Sequence, residues 1–251
     1  MVWGVVSDTG FGRFAPEGKM EADPETGQDR WHDRLAAHYR AQSPGGQRRL
    51  FDYDHPSCSS YYASYAAGKF THECGSVHMD HPDWPPYSPI EPHEPPQFYT
   101  SRPYPALASL ITLYGGQKAV DEHLKAILER LEPGLHQFFP LKIIIGPNDR
   151  QTERKYFTLH MGQYRTSFSP EQSDEGAFTG PSPVVPNFYS PVETKKGMSG
   201  IALSKDAFGN AHLWRERWFP RSKMFCLSDE LKAEIDKEGL SIAKHYKMQE
   251  V

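Results

Sequence analysis

A short stretch in the first third of the chain carries the side chains that zinc prefers as ligands. Its members are spaced two to four residues apart and are His72, Cys74, His78 and His81, with His55 and Cys58 upstream. Imidazole and thiolate groups at such spacings can converge on one metal ion. The paired C-x-x-C of a structural zinc site is missing, however. We therefore interpret these residues as surface side chains and predict no metal site. A metal-dependent hydrolase that uses the four positions from His72 to His81 is the alternative function.

Two glycine-containing motifs match enzyme fingerprints only in part. Residues 10–15 fit the pattern G-x-G-x-x-A, but Pro16 and Gly18 disfavour the helix whose N-terminus would bind a pyrophosphate. Residues 197–201 fall one residue short of the G-x-S-x-G nucleophile elbow. The sequence therefore predicts no cofactor, no catalytic residues and no enzyme.

The densest cluster of aromatic and arginine side chains lies at residues 212–219. Arginine stacks on indole rings, and such clusters are enriched in nucleic-acid sites and in interface hot spots. Trp214 and Trp218 are four residues apart, so they could also anchor one turn of the chain against the core. We favour this structural role and keep a protein interface as the alternative.

Composition sets the frame for these residues. The chain has 251 residues, of which 37% are hydrophobic and 22 are proline, so one large domain or two modest ones would fit. Its longest apolar stretches are too short to span a membrane, and no secretory signal is visible. Three cysteines without paired spacing make a disulfide framework improbable, which favours the reducing cytoplasm.

Charge is unevenly distributed along the chain. Residues 1–100 hold 8 Lys/Arg and 14 Asp/Glu, whereas residues 101–251 hold 20 and 18. This distribution disfavours non-specific nucleic-acid binding and would attract a basic protein partner to the first hundred residues; an acidic face that only contacts solvent is the alternative. We predict an acidic, aromatic- and proline-rich region at 1–100 and an α+β domain at 101–251.

Hydrophobic periodicity and turn residues predict the local structure. Helices are expected at residues 30–41 and 117–131, at 59–67 as a possibility, and after an N-cap at Ser228 with Gly239 at its end. Strands are expected at residues 2–7, 135–145 (buried), 155–161, 201–203, 223–227 and 241–248, and a long loop at 167–190. Helices and strands mix without a βαβ rhythm, so the predicted fold class is α+β.

Proline dominates the segment at residues 82–105, which contains nine prolines. Such density should exclude helix and sheet pairing and favour an extended, polyproline-like chain. Interleaved aromatic residues indicate that the segment packs along a surface. A peptide-binding module that uses this strip is a third possible function.

Two later stretches resemble the bacterial polymorphic-toxin immunity proteins of immunity family eleven. Residues 128–140 (LERLEPGLHQFFP) resemble that family's passage from a helix into a strand. Residues 210–215 (NAHLWR), with 224–231 (MFCLSDEL) and the helix to Gly239, are similar to its C-terminal signature. The resemblance covers about residues 100–248.

The resemblance implies a protein without catalytic activity that binds and neutralises a toxin, often a nuclease, and so protects the producing cell and its kin. It also implies that Trp214 and Phe225 serve packing and that Ser228 caps a helix. The expected partner is the cognate toxin, with no nucleic acid and no membrane, and the oligomeric state is left open.

An inhibitor needs an interface with a few anchor residues and complementary charge, but no reactive group. The surface of a nuclease tends to be basic, so we predict that residues 1–100 supply the toxin-binding face. The candidate contact residues are Asp52, Asp54, Asp80, Asp83, Glu91 and Glu94, set among Tyr53, Tyr61, Tyr62, Trp84 and Tyr87.

Overall fold

A computed structural model of the chain describes residues 1–6, 10–41, 58–71, 89–146, 150–183, 187–219, 222 and 224–251. The α-helices of these residues are α1 Trp31–Ala41, α2 Cys58–Thr71, α3 Glu122–Leu131, α4 Lys195–Gly200, α5 Lys205–Phe208 and α6 Asp229–Lys237. The strands are β1 Val2–Val5, β2 Gly18–Met20, β3 Phe98–Ser101, β4 Leu110–Thr112, β5 Lys118–Asp121, β6 Gln137–Ile145, β7 Arg150–Gln151, β8 Tyr156–His160, β9 Tyr164–Arg165, β10 Phe178–Thr179, β11 Ser190–Pro191, β12 Ala202–Leu203, β13 Leu213–Glu216, β14 Phe225–Ser228 and β15 His245–Glu250.

The described strands form two large mixed sheets and a short ribbon. One sheet has the order β12-β15-β1-β14-β13-β9, and the other has the order β2-β3-β6-β8-β5-β4 with β7 paired to β6. Strands β10 and β11 form the ribbon. Helices pack on these sheets, and parallel and antiparallel pairs occur together, which confirms the α+β prediction. In the part of the chain that the structure describes, each helix is too short or too polar to cross a lipid bilayer.

The two ends of the chain meet in the first sheet. The strand predicted near the N-terminus is confirmed as β1, which pairs with β14 on one side and β15 on the other. In the second sheet, β3 spans the position predicted as the regional boundary and pairs in parallel with β6. Strands from both sides of residue 100 therefore pair with each other.

The helix predicted at residues 30–41 is confirmed as α1. Its apolar stripe of Trp31, Leu35 and Tyr39 is buried, as the helical spacing requires. The possible helix at 59–67 lies within α2, which packs against α1. Helix α2 also contacts β8 of the second sheet, and Trp31 of α1, Phe70 of α2 and Tyr99 of β3 belong to one hydrophobic core.

The prediction that the proline-rich segment cannot pair in a sheet is wrong for β3. Pro96 and Pro103 flank a window without proline, and β3 occupies its centre. Each residue of this window keeps its backbone N–H, so β3 can pair with β2 on one side and β6 on the other. The buried Tyr99 shows that this part of the segment packs against the protein, as predicted.

The helix predicted at residues 117–131 is shorter than its apolar stripe indicates. Residues 118–121 form β5, which lies between β4 and β8. The side chain of Asp121 then accepts the backbone N–H of Leu124 at 3.0 Å and caps α3. Val120 belongs to a buried strand, although its spacing from Leu124 also fits a helix.

The strand predicted as buried at residues 135–145 is confirmed as β6, but its burial is only partial. Leu141 and Ile143 are buried, whereas Pro140 and Lys142, which alternate with them along the strand, are exposed. This alternation is the pattern of a strand with one face on the core and the other toward solvent.

The local predictions for the C-terminal half are confirmed in most details. The side chain of Ser228 accepts the backbone N–H of Leu231 at 3.1 Å, and Leu231 and Ile235 of α6 are buried in a hydrophobic core. Gly239 ends this helix with a φ of +64°, a conformation that glycine adopts without strain. The strands predicted at 155–161, 201–203, 223–227 and 241–248 correspond to β8, β12, β14 and β15. The described residues of the predicted loop at 167–190 are largely irregular.

Candidate functional site

Most of the residues predicted to contact a toxin lie outside the described residues. These are Asp52, Tyr53, Asp54, Asp80, Asp83, Trp84 and Tyr87, and the side chains of Tyr61 and Tyr62 in α2. The alternative metal ligands His72, Cys74, His78 and His81 also lie outside them. Among the described residues, no group of three or more His, Cys, Asp or Glu side chains comes close enough together to hold a metal ion.

Glu91 and Glu94, which are described, differ in their surroundings. Glu91 lies at the surface with 37% of its side chain exposed, whereas Glu94 is 1% exposed. The ammonium group of Lys69 in α2 donates to both carboxylate oxygens of Glu94, at 2.7 and 3.0 Å. The backbone N–H of Glu91 donates to the same carboxylate at 2.6 Å. Glu94 therefore holds the segment that carries Glu91 against α2 and is not itself exposed to a partner.

A second ion pair joins α1 to the chain around it. Arg34 donates two hydrogen bonds to the carboxylate of Glu21, at 2.7 and 2.9 Å, and further bonds to the carbonyls of His93 and Pro95. Glu21 has a φ of +45°, which is strained for a residue with a Cβ. Its carboxylate also accepts the backbone N–H of Gln97 at 2.9 Å, so several contacts hold the strained residue in place.

Imidazole rings cover one end of this ion-paired region. The rings of His38 and His93 are stacked with their centroids 3.8 Å apart, and His93 Nε2 lies 3.1 Å from the hydroxyl of Tyr39. Burial and the neighbouring His38 both lower the pKa of His93. This lowered pKa favours the neutral form of the His93 ring.

The two stretches that carry the family resemblance meet at one buried carboxylate. Glu132, at the end of α3, accepts the backbone N–H groups of His212 at 2.7 Å and Leu213 at 3.0 Å. The side chains of His136 and Gln163 contact the same carboxylate at 2.7 and 2.8 Å. Burial alone would raise the pKa of Glu132, but the hydrogen bonds from His136, His212 and Gln163 outweigh it and lower the pKa.

Sequence reasoning missed this role of Glu132. The available signal was a carboxylate directly before the Pro133-Gly134 helix stop, within the very stretch that resembles the family.

The aromatic and arginine cluster at residues 212–219 contains the strand β13. Trp214 and Trp218 therefore do not lie together on one helical turn. Trp214 lies in β13 with none of its surface exposed, and its ring stacks on Phe208 at 5.0 Å between centroids. Trp218 follows the strand and is only half-buried. The structural role predicted for Trp214 is confirmed, and so is the packing role of Phe225, which is 1% exposed.

Next to Trp214, the carboxyl group of Glu216 is completely enclosed. It accepts hydrogen bonds from the backbone N–H and the hydroxyl of Ser167, at 2.9 and 2.7 Å, and from the N–H of Trp218 at 3.2 Å. Burial raises the pKa of Glu216 to about 7, because these hydrogen bonds only partly compensate for the lost water.

Neither glycine-containing motif has the geometry of an enzyme site. Residues 10–15 form a loop closed by a hydrogen bond from the N–H of Gly12 to the carbonyl of Ala15, and no helix begins there. Residues 195–200 form α4, in which the hydroxyl of Ser199 donates to the carbonyl of Lys195 at 2.6 Å. The hydroxyl of this serine therefore forms its hydrogen bond within its own helix, and the serine does not lie on a strained strand-to-helix turn.

A protein-family model described as Immunity protein family (Imm11) matches residues 28–250. The match covers most of the chain and includes both stretches joined at Glu132, so the chain belongs to the Imm11 immunity protein family. The match also begins well before residue 100, whereas the resemblance seen in the sequence alone starts at about residue 100. No curated protein matches the chain.

Proposed function

We propose that this protein neutralises one cognate antibacterial toxin by binding it stoichiometrically and occluding its active surface. The observation that carries this proposal is the family match over residues 28–250. Proteins of this family are immunity proteins, which implies a toxin partner. We also propose that the toxin is encoded beside this gene, that it is a nuclease with a basic surface, and that neutralisation takes place in the cytoplasm of the producing cell without catalysis.

We further propose that the first hundred residues supply the toxin-binding face. The excess of 14 acidic over 8 basic residues in this region supports the proposal, because complementary charge accelerates association and orients the partners. The contacts expected are those of Glu91 and of the acidic and aromatic residues predicted from the sequence, Asp52, Asp54, Asp80, Asp83, Tyr53, Tyr61, Tyr62, Trp84 and Tyr87. Glu94 contributes indirectly, since its pair with Lys69 positions Glu91.

Co-expression with the neighbouring toxin gene tests the function. Cells that carry the toxin domain alone should die, and cells that also carry this protein should survive. The purified pair should form a 1:1 complex in analytical ultracentrifugation. Equal killing with and without this protein would refute the proposed function.

Charge reversal tests the placement of the binding face. The multiple variant Asp52→Lys, Asp54→Lys, Asp80→Lys, Asp83→Lys and Glu91→Lys should weaken toxin binding at least a hundredfold by calorimetry. A matched control reverses five exposed acidic residues of the C-terminal half, Glu153, Glu171, Glu175, Asp206 and Glu238. Both variants change the net charge equally, so only a local role of the acidic face predicts different affinities. Equal affinity of the two variants would refute the placement.

A further inference from the structure

An open groove of about 370 Å³ lies beside the first turns of α1. Its apolar lining consists of Ala22 and Pro24, which follow β2, Ala37 of α1 and Phe98 of β3. The volume falls in the range of about 300–1,000 Å³ that is typical of ligand sites. The groove therefore offers an apolar floor that is large enough for one long side chain.

The two aspartates on its rim differ in how many hydrogen bonds their carboxylates accept. Asp23 is fully engaged, because one of its oxygens accepts the backbone and hydroxyl groups of Thr26 and the other accepts Arg30 at 2.7 Å. The hydrogen bond from the Thr26 backbone is the largest cause of the lowered pKa of Asp23. Asp33, in contrast, is 71% exposed and lies 3.4 Å from Arg30 Nε in an ion pair. Asp33 can thus accept a further donor.

The two arginines of the lining are both paired with carboxylates. Arg34 directs its donors to Glu21 and to two backbone carbonyls, and Arg30 directs its donors to Asp23 and Asp33. The lining contains three carboxylates, of Glu21, Asp23 and Asp33, and these two arginines, so its formal charge is negative by one. A cation fits this rim better than an anion does.

An apolar floor with an acceptor at its rim matches an amphipathic cation. Lysine and arginine bury their aliphatic stems on apolar surface while their charged ends stay at a polar rim. A guanidinium group can in addition form two parallel hydrogen bonds with one carboxylate. We infer that this groove binds an arginine or lysine side chain of the toxin, with the stem on Ala37 and Phe98 and the charged end on Asp33. The inference rests on the proposed function.

Single substitutions at the groove provide the main test. In Asp33→Arg the acceptor becomes a competing cation, so we expect affinity for the neighbouring toxin domain to fall at least tenfold, with a lower association rate at low salt. In Ala37→Phe a ring occupies the floor, and a similar loss is expected. The matched control is Asp206→Arg, which makes the same charge change at an exposed position of α5. We expect this control to lose less than twofold.

A second measurement does not depend on the toxin. The full-length protein is titrated with N-acetyl-arginine methylamide and followed by its backbone amide resonances. Shifts that saturate at Asp33, Ala37 and Phe98, and that vanish in Asp33→Arg, would support the site. N-acetyl-serine methylamide should leave these resonances unchanged.

The outcomes separate the groove from the function. If the toxin binds the wild type and Asp33→Arg equally tightly, the groove assignment is overturned while the function stands. If the toxin does not bind the wild type at all, the proposed function fails, and the titration alone decides about the groove. Absence of shifts at the groove in that titration would also overturn the assignment.

Discussion

Two regions of the molecule use charged residues in opposite ways. One is the joint, which we define as Glu132, Trp214 and Glu216 in and around β13, and the other is the acidic region at residues 21–34, which leads into α1. At the joint, Glu132 and Glu216 are buried, and each accepts backbone N–H groups. Around α1, Asp33 is largely exposed, and arginine side chains provide the pairing. The two carboxylates of the joint are buried, so they are not available for direct contact with a partner. Residues that hold this part of the fold and residues that meet a partner are therefore expected to be different sets.

The joint also shows how partners decide the ionisation of a buried carboxylate. Glu132 receives hydrogen bonds from several donors, and these outweigh the effect of burial on its pKa. Glu216 has Ser167 and Trp218 as donors and is more deeply enclosed, so burial prevails and its pKa rises to about 7. Two carboxyl groups of the same joint are thus expected to respond to pH in opposite directions.

If the joint stabilises the fold, removal of the Trp214 ring should have the largest effect on the free energy of unfolding. Trp214→Ala deletes a side chain with no exposed surface and its stacking on Phe208, so we expect a loss of about 3–5 kcal/mol in the free energy of unfolding. Urea unfolding followed by circular dichroism measures this loss. Trp218→Ala, at a half-buried ring, should lose clearly less. Equal losses in the two variants would contradict the central role of Trp214.

The pH dependence of stability tests the enclosed carboxyl group. The folded pKa of Glu216, about 7, lies above the ordinary value of 4.5. Its contribution to stability is therefore complete below pH 4.5 and is lost as the pH rises through 7. The loss should be about 3 kcal/mol, since each unit of pKa difference is worth about 1.4 kcal/mol.

Glu216→Gln should abolish this loss. Burial lowers the pKa of His160 to about 4, which gives an opposite slope in the same range, so the informative quantity is the difference between wild type and variant. Urea unfolding at several pH values between 4.5 and 8 measures it. Parallel profiles of the two proteins would show that Glu216 ionises normally.

The smallest effect on folding is expected in the acidic region. Asp33→Asn removes one exposed charge with a 3.4 Å contact to Arg30, so the free energy of unfolding should change by less than about 0.5 kcal/mol. The same urea experiment measures this change. A loss of several kcal/mol would mean that Asp33 supports the fold, and the distinction between the two regions would then disappear.

Short sequence patterns correctly predicted the secondary-structure elements that depend on residues close together in the chain. The stripe of Trp31, Leu35 and Tyr39 marks α1, and Ser228 and Gly239 mark the ends of α6, because helix periodicity and capping involve residues a few positions apart. The same reasoning failed at β5, where the spacing of Val120 and Leu124 continues a helical stripe across a strand. Pairing with β4 and β8 decided that case, and no short window of sequence contains it.

The acidic residues show a similar limit. From the sequence, Glu91 and Glu94 were equivalent members of one charged set. The structure buries Glu94 against Lys69, which is 25 residues away, and leaves Glu91 at the surface. None of the residues at 21–34 is among the contact residues predicted from the sequence, because the groove forms only where β2, α1 and β3 come together.

The sequence by itself determined the fold class, the amphipathic helices with their caps, the uneven charge and the resemblance to an immunity family. Each of these depends on composition or on neighbours along the chain. The tertiary structure alone decided that β1 lies between strands from the end of the chain and that Glu132 joins backbone groups 80 residues away. Such contacts are set by how whole sheets pack, and the free energy that selects them is shared among residues far apart in sequence.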